Sequence, residues 1–393
     1  MLSSPRHAFL RVSAAKHIAQ LQPARHFASS AVARTITVNL PKDSFKTYNC
    51  EAPSLKVTVK KDDLLHMYKS MVIMRRMETT ADGLYKSGLI RGFCHLCTGQ
   101  EAVGVGLESA LSPDDKVITA YRAHGFTYMM GGSIHSILAE VLGRKTGMSK
   151  GKGGSMHMFT PRFQGGNGIV GAQVPLGTGL AFAQKYLEKK GAVFTFYGDG
   201  AANQGQVFES FNMAKLWDLP CVFVCENNQY GMGTSAERSS ASTEYYKRAE
   251  YIPGIKVDGM NVLAVHQAVA HAREWAVSGK GPLVLETETY RYSGHSMSDP
   301  GTTYRKREEI QQVRAEHDAI TGLKQLLLEH KIVTEDDCKA IDKAARAEVD
   351  KATEQAKADP EPDLDSFWEH VYVKGTEVPF LRGREPEVIH RYK

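Results

Sequence analysis

The chain has 393 residues, of which 42% are hydrophobic and 24% charged, with a formal net charge of +5. That length exceeds one minimal domain and accommodates a large α/β core, and no run approaches the roughly 20 apolar residues of a membrane helix. The cysteines at 50, 94, 97, 221, 225 and 338 are scattered through a long chain, which is not the pattern of a secreted disulfide framework.

The first acidic residue is Asp43, and the segment before it carries Arg6, Arg11, Lys16, Arg25 and Arg34 among many Ser and Ala. That composition reads as a mitochondrial or plastid presequence over residues 1–26, cleaved near Arg25 to Ala28. Its removal deletes Arg6, Arg11, Lys16 and Arg25 and no acid, so the charge falls from +5 to +1. The basic balance is therefore mostly an address, and it gives nucleic-acid binding no support. Residues 27–60 follow as an extended, weakly patterned arm.

The first helix is expected over 61–87, where Leu64, Leu65, Tyr68, Met71, Val72 and Met74 make an apolar stripe. A loop over 88–99 carries His95. A small-residue helix is expected over 100–111, a short strand over 116–120 ending at Tyr121-Arg122, and a helix over 133–142. Residues 143–171 form a glycine-rich loop whose interleaved Met156, His157, Met158, Phe159, Phe163, Ile169 and Val170 are too apolar for a solvated linker. Long ordered loops of this kind are usually functional.

A helix then leads into the stretch on which the chain turns. Val193 to Tyr197 is an apolar strand that stops at Gly198-Asp199-Gly200. A helical pattern follows, with Val207, Phe211 and Ala214 on one face. A second strand, Cys221 to Cys225, stops at Glu226-Asn227-Asn228. In a right-handed crossover both strand ends lie on one sheet edge, where α/β proteins bind ligands. One carboxylate, one amide oxygen and free carbonyls suit a hard divalent cation that completes its shell with phosphate oxygens. A helix over 242–251, a strand over 255–257, a helix over 262–277 and a strand over 282–290 continue the alternation. The polar loop 290–305 precedes charged helices over 306–330 and 335–357 and a tail from Asp359. The pattern predicts an α/β fold, a doubly wound and mostly parallel sheet spanning 61–305, with a C-terminal helical extension over 306–393.

Other phosphate and metal motifs fail. Gly151-Lys152 is followed by Gly153 where a P-loop needs Ser or Thr, and Gly177-Thr178-Gly179 has Phe182 where a dinucleotide fingerprint needs glycine. Cys94 and Cys97 form half a zinc site with no second pair at suitable spacing.

Gly198-Asp199-Gly200 joined to Asn227-Asn228 resembles the diphosphate-binding motif of thiamine diphosphate enzymes. The segments RGFCHLCTGQEA (91–102), ITAYRAHG (118–125), GKGGSMHMF (151–159), GGNGIVGAQVPLG (165–177), ENNQYGMGTS (226–235) and YRYSGHSMSDPG (290–301) are similar to alpha subunits of the thiamine-dependent 2-oxoacid dehydrogenases, the pyruvate enzymes of mitochondria in particular. The resemblance spans about residues 60 to 390. The branched-chain and acetoin enzymes are the nearest alternatives.

The resemblance implies the diphosphate half of a thiamine diphosphate-binding fold. A separate beta subunit supplies the other half in an α2β2 heterotetramer that docks on a lipoyl-bearing dihydrolipoyl acetyltransferase core in the mitochondrial matrix. It implies that Asp199, Asn228 and the Tyr230 carbonyl bind Mg2+, and that Tyr121, Arg122, Gly168, Val170, Gly200, Ala201 and His295 join Asp199 and Asn228 in contacting the cofactor. His95 and His295 are the implied catalytic residues, with His95 also facing pyruvate. They are expected to act as imidazoles of near-neutral pKa. The same resemblance places regulatory phosphorylation, by a dedicated kinase and phosphatase, at Ser296, with Thr303 and Ser235 as further positions.

Overall fold

The computed structural model describes residues 35–364, residue 366, residues 369–378, and the pairs 381–382 and 389–390. The presequence over 1–26 lies outside the described residues.

The arm forms β1 (Thr35–Asn39), β2 (Phe45–Tyr48) and β3 (Lys56–Lys60), with β1 and β3 paired antiparallel. Helix α1 (Lys61–Lys86) buries the expected stripe at Leu64, Tyr68, Met71, Val72 and Met74. After the His95 loop come α2 (Glu101–Ala110), β4 (Lys116–Ile118), the short α3 (His124–Met129) and α4 (Ile134–Val141). The glycine-rich loop leads to α5 (Gln173–Tyr186), β5 (Val193–Gly198), α6 (Gly205–Leu216) and β6 (Cys221–Asn227). A small hairpin of β7 (Tyr230–Gly231) and β8 (Thr234–Ser235) runs into α7 (Ala236–Ser239). Then follow β9 (Gly254–Asp258), α8 (Val262–Trp275) and β10 (Leu283–Glu288), and finally α9 (Arg307–His317), α10 (Ala319–Glu329) and α11 (Glu335–Ala358).

The central sheet has six strands in the order β2-β9-β10-β6-β5-β4, parallel throughout except for β2, which pairs antiparallel with β9. Its strands read as continuous apolar runs because both faces are covered. Phe194, Phe196, Val222, Val224, Leu283 and Leu285 point to the core shared with α1, α2 and α8. Val193, Tyr197, Cys221, Phe223, Cys225 and Val284 point to the core shared with α5 and α6. This is the doubly wound arrangement expected. The free Cys221 and Cys225 are packing residues within it.

Two expected helices differ. Over 242–251 the only helical piece is a turn at Tyr245–Lys247. The buried Glu286 carboxylate accepts a hydrogen bond from the Tyr246 amide at 3.1 Å and pins that turn, so adjacent buried aromatics mimicked a helical face. The helix expected over 306–330 is broken at Asp318. Its carboxylate caps α10 by accepting from the Thr321 amide at 3.1 Å and pairs with Arg75 at 2.9 Å. A cap that satisfies the free amides of a new helix is also where the previous helix stops.

Candidate active site

The strand ends meet as the spacing predicts. Gly198 of β5 is in register with Glu226 of β6, and the Asn228 amide donates to Asp199 Oδ1 at 3.3 Å. Asp199 is 2% exposed, and its Oδ2 is buried with no partner in the chain. Burial raises its pKa to about 6. Backbone closes in around this oxygen. A Cβ placed on Gly231 would lie a tight 3.2 Å from Gly200 Cα and 3.8 Å from Asp199 Oδ2, so the two glycines let backbone approach closely here.

The paired asparagines divide their work. Asn227 is structural, donating to Glu286 Oε1 at 2.9 Å and accepting from the Gln229 amide at 3.0 Å. Asn228 Oδ1 accepts from Thr289 Oγ1 at 3.0 Å and from Gln100 Nε2. The Tyr230 carbonyl accepts from Arg291 Nη1 at 3.3 Å.

An orphaned carboxylate oxygen flanked by glycine backbone fits a divalent cation bearing a phosphate group. The Asn228 oxygen reaches such a cation only if its amide turns over. Because Gln100 Nε2 now donates to that oxygen, the Gln100 amide, whose Oε1 is buried and unpartnered, would have to turn with it. Among the described residues no group of three or more His, Cys, Asp or Glu is placed to hold a metal, so a cation here completes its shell with amide, carbonyl and ligand oxygens.

The second part of the site is a cluster of rings. His95 lies 4.4 Å from Tyr121 and 5.4 Å edge-on from His295, and Tyr121 is 5.3 Å from His295, centroid to centroid. Arg122 ties their loops together by donating to the Leu96 carbonyl and, at 3.0 Å, to the His295 carbonyl. The Nδ1 atoms of both histidines are buried without partners in the chain.

Here the expected imidazoles of near-neutral pKa are corrected. Burial and then the Arg122 guanidinium push His95 down to about 3 and His295 to about 4. Both are neutral at physiological pH, and fixed positive charge comes from the buried Arg122 and Arg291.

Gly168 and Val170 sit on the rim. The Val170 carbonyl accepts from Gln204 Nε2 at 2.9 Å, which closes the glycine-rich loop over the segment following Gly200 and Ala201. Ser296 is 9% exposed, with its hydroxyl 2.9 Å from that of Ser298. Thr303 is exposed, and the half-buried Ser235 caps α7 by accepting from the Arg238 amide at 3.3 Å.

Sequence reasoning overlooked Gln100, Arg291 and the buried Glu226, whose pKa is raised to about 7 by burial with Arg122 and Asp199 nearby. Glu226 was legible as the residue two before Asn228. Gln100 and Arg291 reach the site only through the fold.

Residues 69–365 match the model of the family described as dehydrogenase E1 component. The chain belongs to the dehydrogenase E1 component family. It is 61% identical to the mitochondrial pyruvate dehydrogenase E1 component subunit alpha of Saccharomyces cerevisiae, over 90% of this chain and 84% of that protein. It is 56% identical to the same subunit of Chaetomium thermophilum over 97% of this chain and 93% of that one. With the somatic-form subunit of Homo sapiens the identity is 55%, over 85% of each. The six-stranded sheet is thus that of an E1 component, with its candidate site at the carboxyl ends of the parallel strands.

Proposed function

We propose that this chain is the alpha subunit of a mitochondrial pyruvate dehydrogenase E1 component. With a beta subunit, in an α2β2 heterotetramer, it decarboxylates pyruvate using thiamine diphosphate and Mg2+ and passes the acetyl group to the lipoyl group of a dihydrolipoyl acetyltransferase core in the matrix. The observation that supports this most is the unpartnered Asp199 oxygen on the same sheet edge as the His95, Tyr121 and His295 rings. The same reading divides the chain into a presequence (1–26), an arm (27–60) anchored in the sheet by β2, a cofactor domain (61–305) and C-terminal helices (306–393).

When bound, the cofactor supplies a carbanion to attack the 2-oxo carbon and an electron sink for loss of carbon dioxide. Asp199, Asn228 and the Tyr230 carbonyl would hold the magnesium ion. Gly168, Val170, Gly200 and Ala201 let backbone approach the cofactor. Arg122 keeps its remaining N–H groups for anionic oxygens while fixing the two histidine loops. Tyr121 packs between the rings and excludes water from the reacting end. Neutral His95 and His295 each offer a free Nδ1 to the reactants, so they position and exchange single hydrogen bonds rather than contribute charge. Phosphorylation of Ser296 adds about −1.5 to −2 charges one residue from His295 and cannot be housed at its buried hydroxyl without opening the loop, which would repel the oxoacid. Thr303 and Ser235 are further sites for the same kinase and phosphatase.

The test is co-purification with a beta subunit and assay of wild type and Ser296→Glu against pyruvate and 2-oxoisovalerate, with and without Mg2+. The expected result is Mg2+-dependent turnover of pyruvate by the wild type and its loss in Ser296→Glu. Preference for 2-oxoisovalerate would assign the chain to a branched-chain enzyme, and full lipoyl-dependent turnover by Ser296→Glu would end the phosphorylation proposal.

A further inference from the structure

Three side chains outside the catalytic cluster form a continuous buried relay behind it. Glu78 of α1 is fully buried, as is His124 at the start of α3, and Ser155 in the glycine-rich loop is 4% exposed. His124 Nδ1 is 2.9 Å from Glu78 Oε2, and His124 Nε2 is 2.8 Å from Ser155 Oγ. Both ends of the relay then grip the catalytic loop. The His95 amide donates to Ser155 Oγ at 3.3 Å, and the Cys97 amide donates to Glu78 Oε1 at 3.0 Å.

The donors and acceptors balance with the Nδ1–H tautomer of His124. Burial works to raise the Glu78 pKa, but the hydrogen bonds its carboxylate accepts from His124 and Cys97 outweigh that cost and lower it. Glu78 has two acceptor oxygens and takes one N–H on each. His124 donates from Nδ1 to Glu78, which leaves Nε2 an acceptor for the Ser155 hydroxyl proton. Ser155 is then free to accept from the His95 amide. With the Leu96 carbonyl held by Arg122, three consecutive backbone positions of the loop are fixed by buried side chains. A buried polar network with every member satisfied rigidifies what it touches, whereas a half-satisfied one costs stability.

We propose that Glu78, His124 and Ser155 are positioning residues that set the place of His95 in the reaction, a role that rests on the function proposed above. They do not touch the reactants. They fix the backbone from which the His95 ring projects against Tyr121 and His295. A side chain misplaced by about 1 Å can cost on the order of 100-fold in rate while substrate binding is preserved.

The test uses the full chain with its beta subunit. In Ser155→Ala, hydrogen–deuterium exchange at residues 94–99 is expected to accelerate about tenfold, the effect of removing one buried hydrogen bond, with the strands of the central sheet unchanged. The kcat for pyruvate is expected to fall 10- to 100-fold with KM within about twofold. Ser155→Thr, which keeps the hydroxyl, is expected to restore kcat. Glu78→Gln serves as a second, near-isosteric variant: it cannot accept both N–H groups, so the same segment should exchange faster. Unchanged exchange at 94–99 in both variants overturns the proposal, as does a loss of kcat that Ser155→Thr fails to rescue. A wild-type complex without pyruvate turnover refutes the functional reading instead, and exchange still decides whether the relay holds the loop.

Discussion

At the scale of single residues, the neutral histidines carry the clearest consequence. An unfolded histidine titrates near 6.5. In the folded chain burial and Arg122 hold His95 near 3. Between those values the unfolded chain binds the extra proton, so stability is complete above about 6.5 and is lost as pH falls toward 3. The expected slope is about 1.4 kcal/mol per pH unit for the one group. His95→Asn should therefore melt with a flatter acid limb between pH 6.5 and 4.5 than the wild type, measured by scanning calorimetry of the purified complex. Equal slopes would show that His95 titrates normally.

Asp199, Asn228 and His295 stand out in the sequence because each is beside glycine or a second amide in a short, motif-like segment, and His95 through its RGFCHLC segment. Their roles depend on the local backbone, which sequence records. The charge states of the two histidines were not legible, because they depend on burial and on Arg122, and both are products of the fold. Gln100 and Arg291 were silent for the same reason: their partners are Asn228 and Tyr230, more than a hundred and about sixty positions away respectively.

At the scale of elements, close helix packing beneath the sheet sets limits that periodicity does not reveal. Gly106 of α2 faces α8, and a Cβ there would lie 2.7 Å from Val265 Cβ and 2.9 Å from the Val262 carbonyl. The contact includes backbone, so α8 must shift to relieve it. Gly106→Ala is expected to lower stability by about 1–3 kcal/mol, read as a reduced melting temperature, despite alanine's better helix propensity. An unchanged or higher melting temperature would mean that α8 gives way freely. The element pattern was legible where a buried face recurred at one period, as in α1, or where an apolar run stopped at turn residues, as in β5 and β6. It failed at 242–251 and at Asp318, where a single buried carboxylate outweighed the periodic signal.

At the scale of the whole molecule, an acid-free N-terminal stretch precedes the E1 component fold. No helix among the described residues is long and apolar enough to cross a membrane. If residues 1–26 are only an address, their deletion should abolish uptake by isolated mitochondria and leave assembly with the beta subunit unchanged. Failure to assemble, or undiminished import, would refute that division of labour. Alternation of helix and strand made the doubly wound sheet legible, but its strand order was hidden. The chain leaves β6, lays down β9 one place beyond, and returns to insert β10 between them.

Strand β2 sets a timetable for this sheet. Phe45–Tyr48 pairs only with Gly254–Asp258, roughly two hundred residues later, so the contact is among the most non-local in the molecule. Synthesis delivers the amino-terminal end first, and a pore that admits an amino-terminal presequence does the same. In either case β2 emerges with its backbone donors and acceptors exposed and waits for most of the sheet to follow. Exposed strand edges invite pairing with the wrong chain, and this segment is exposed to that hazard until β9 arrives. The moment at which β2 joins the sheet as its edge strand is therefore governed by how much of the chain has arrived, and the four residues of β2 cannot hasten it.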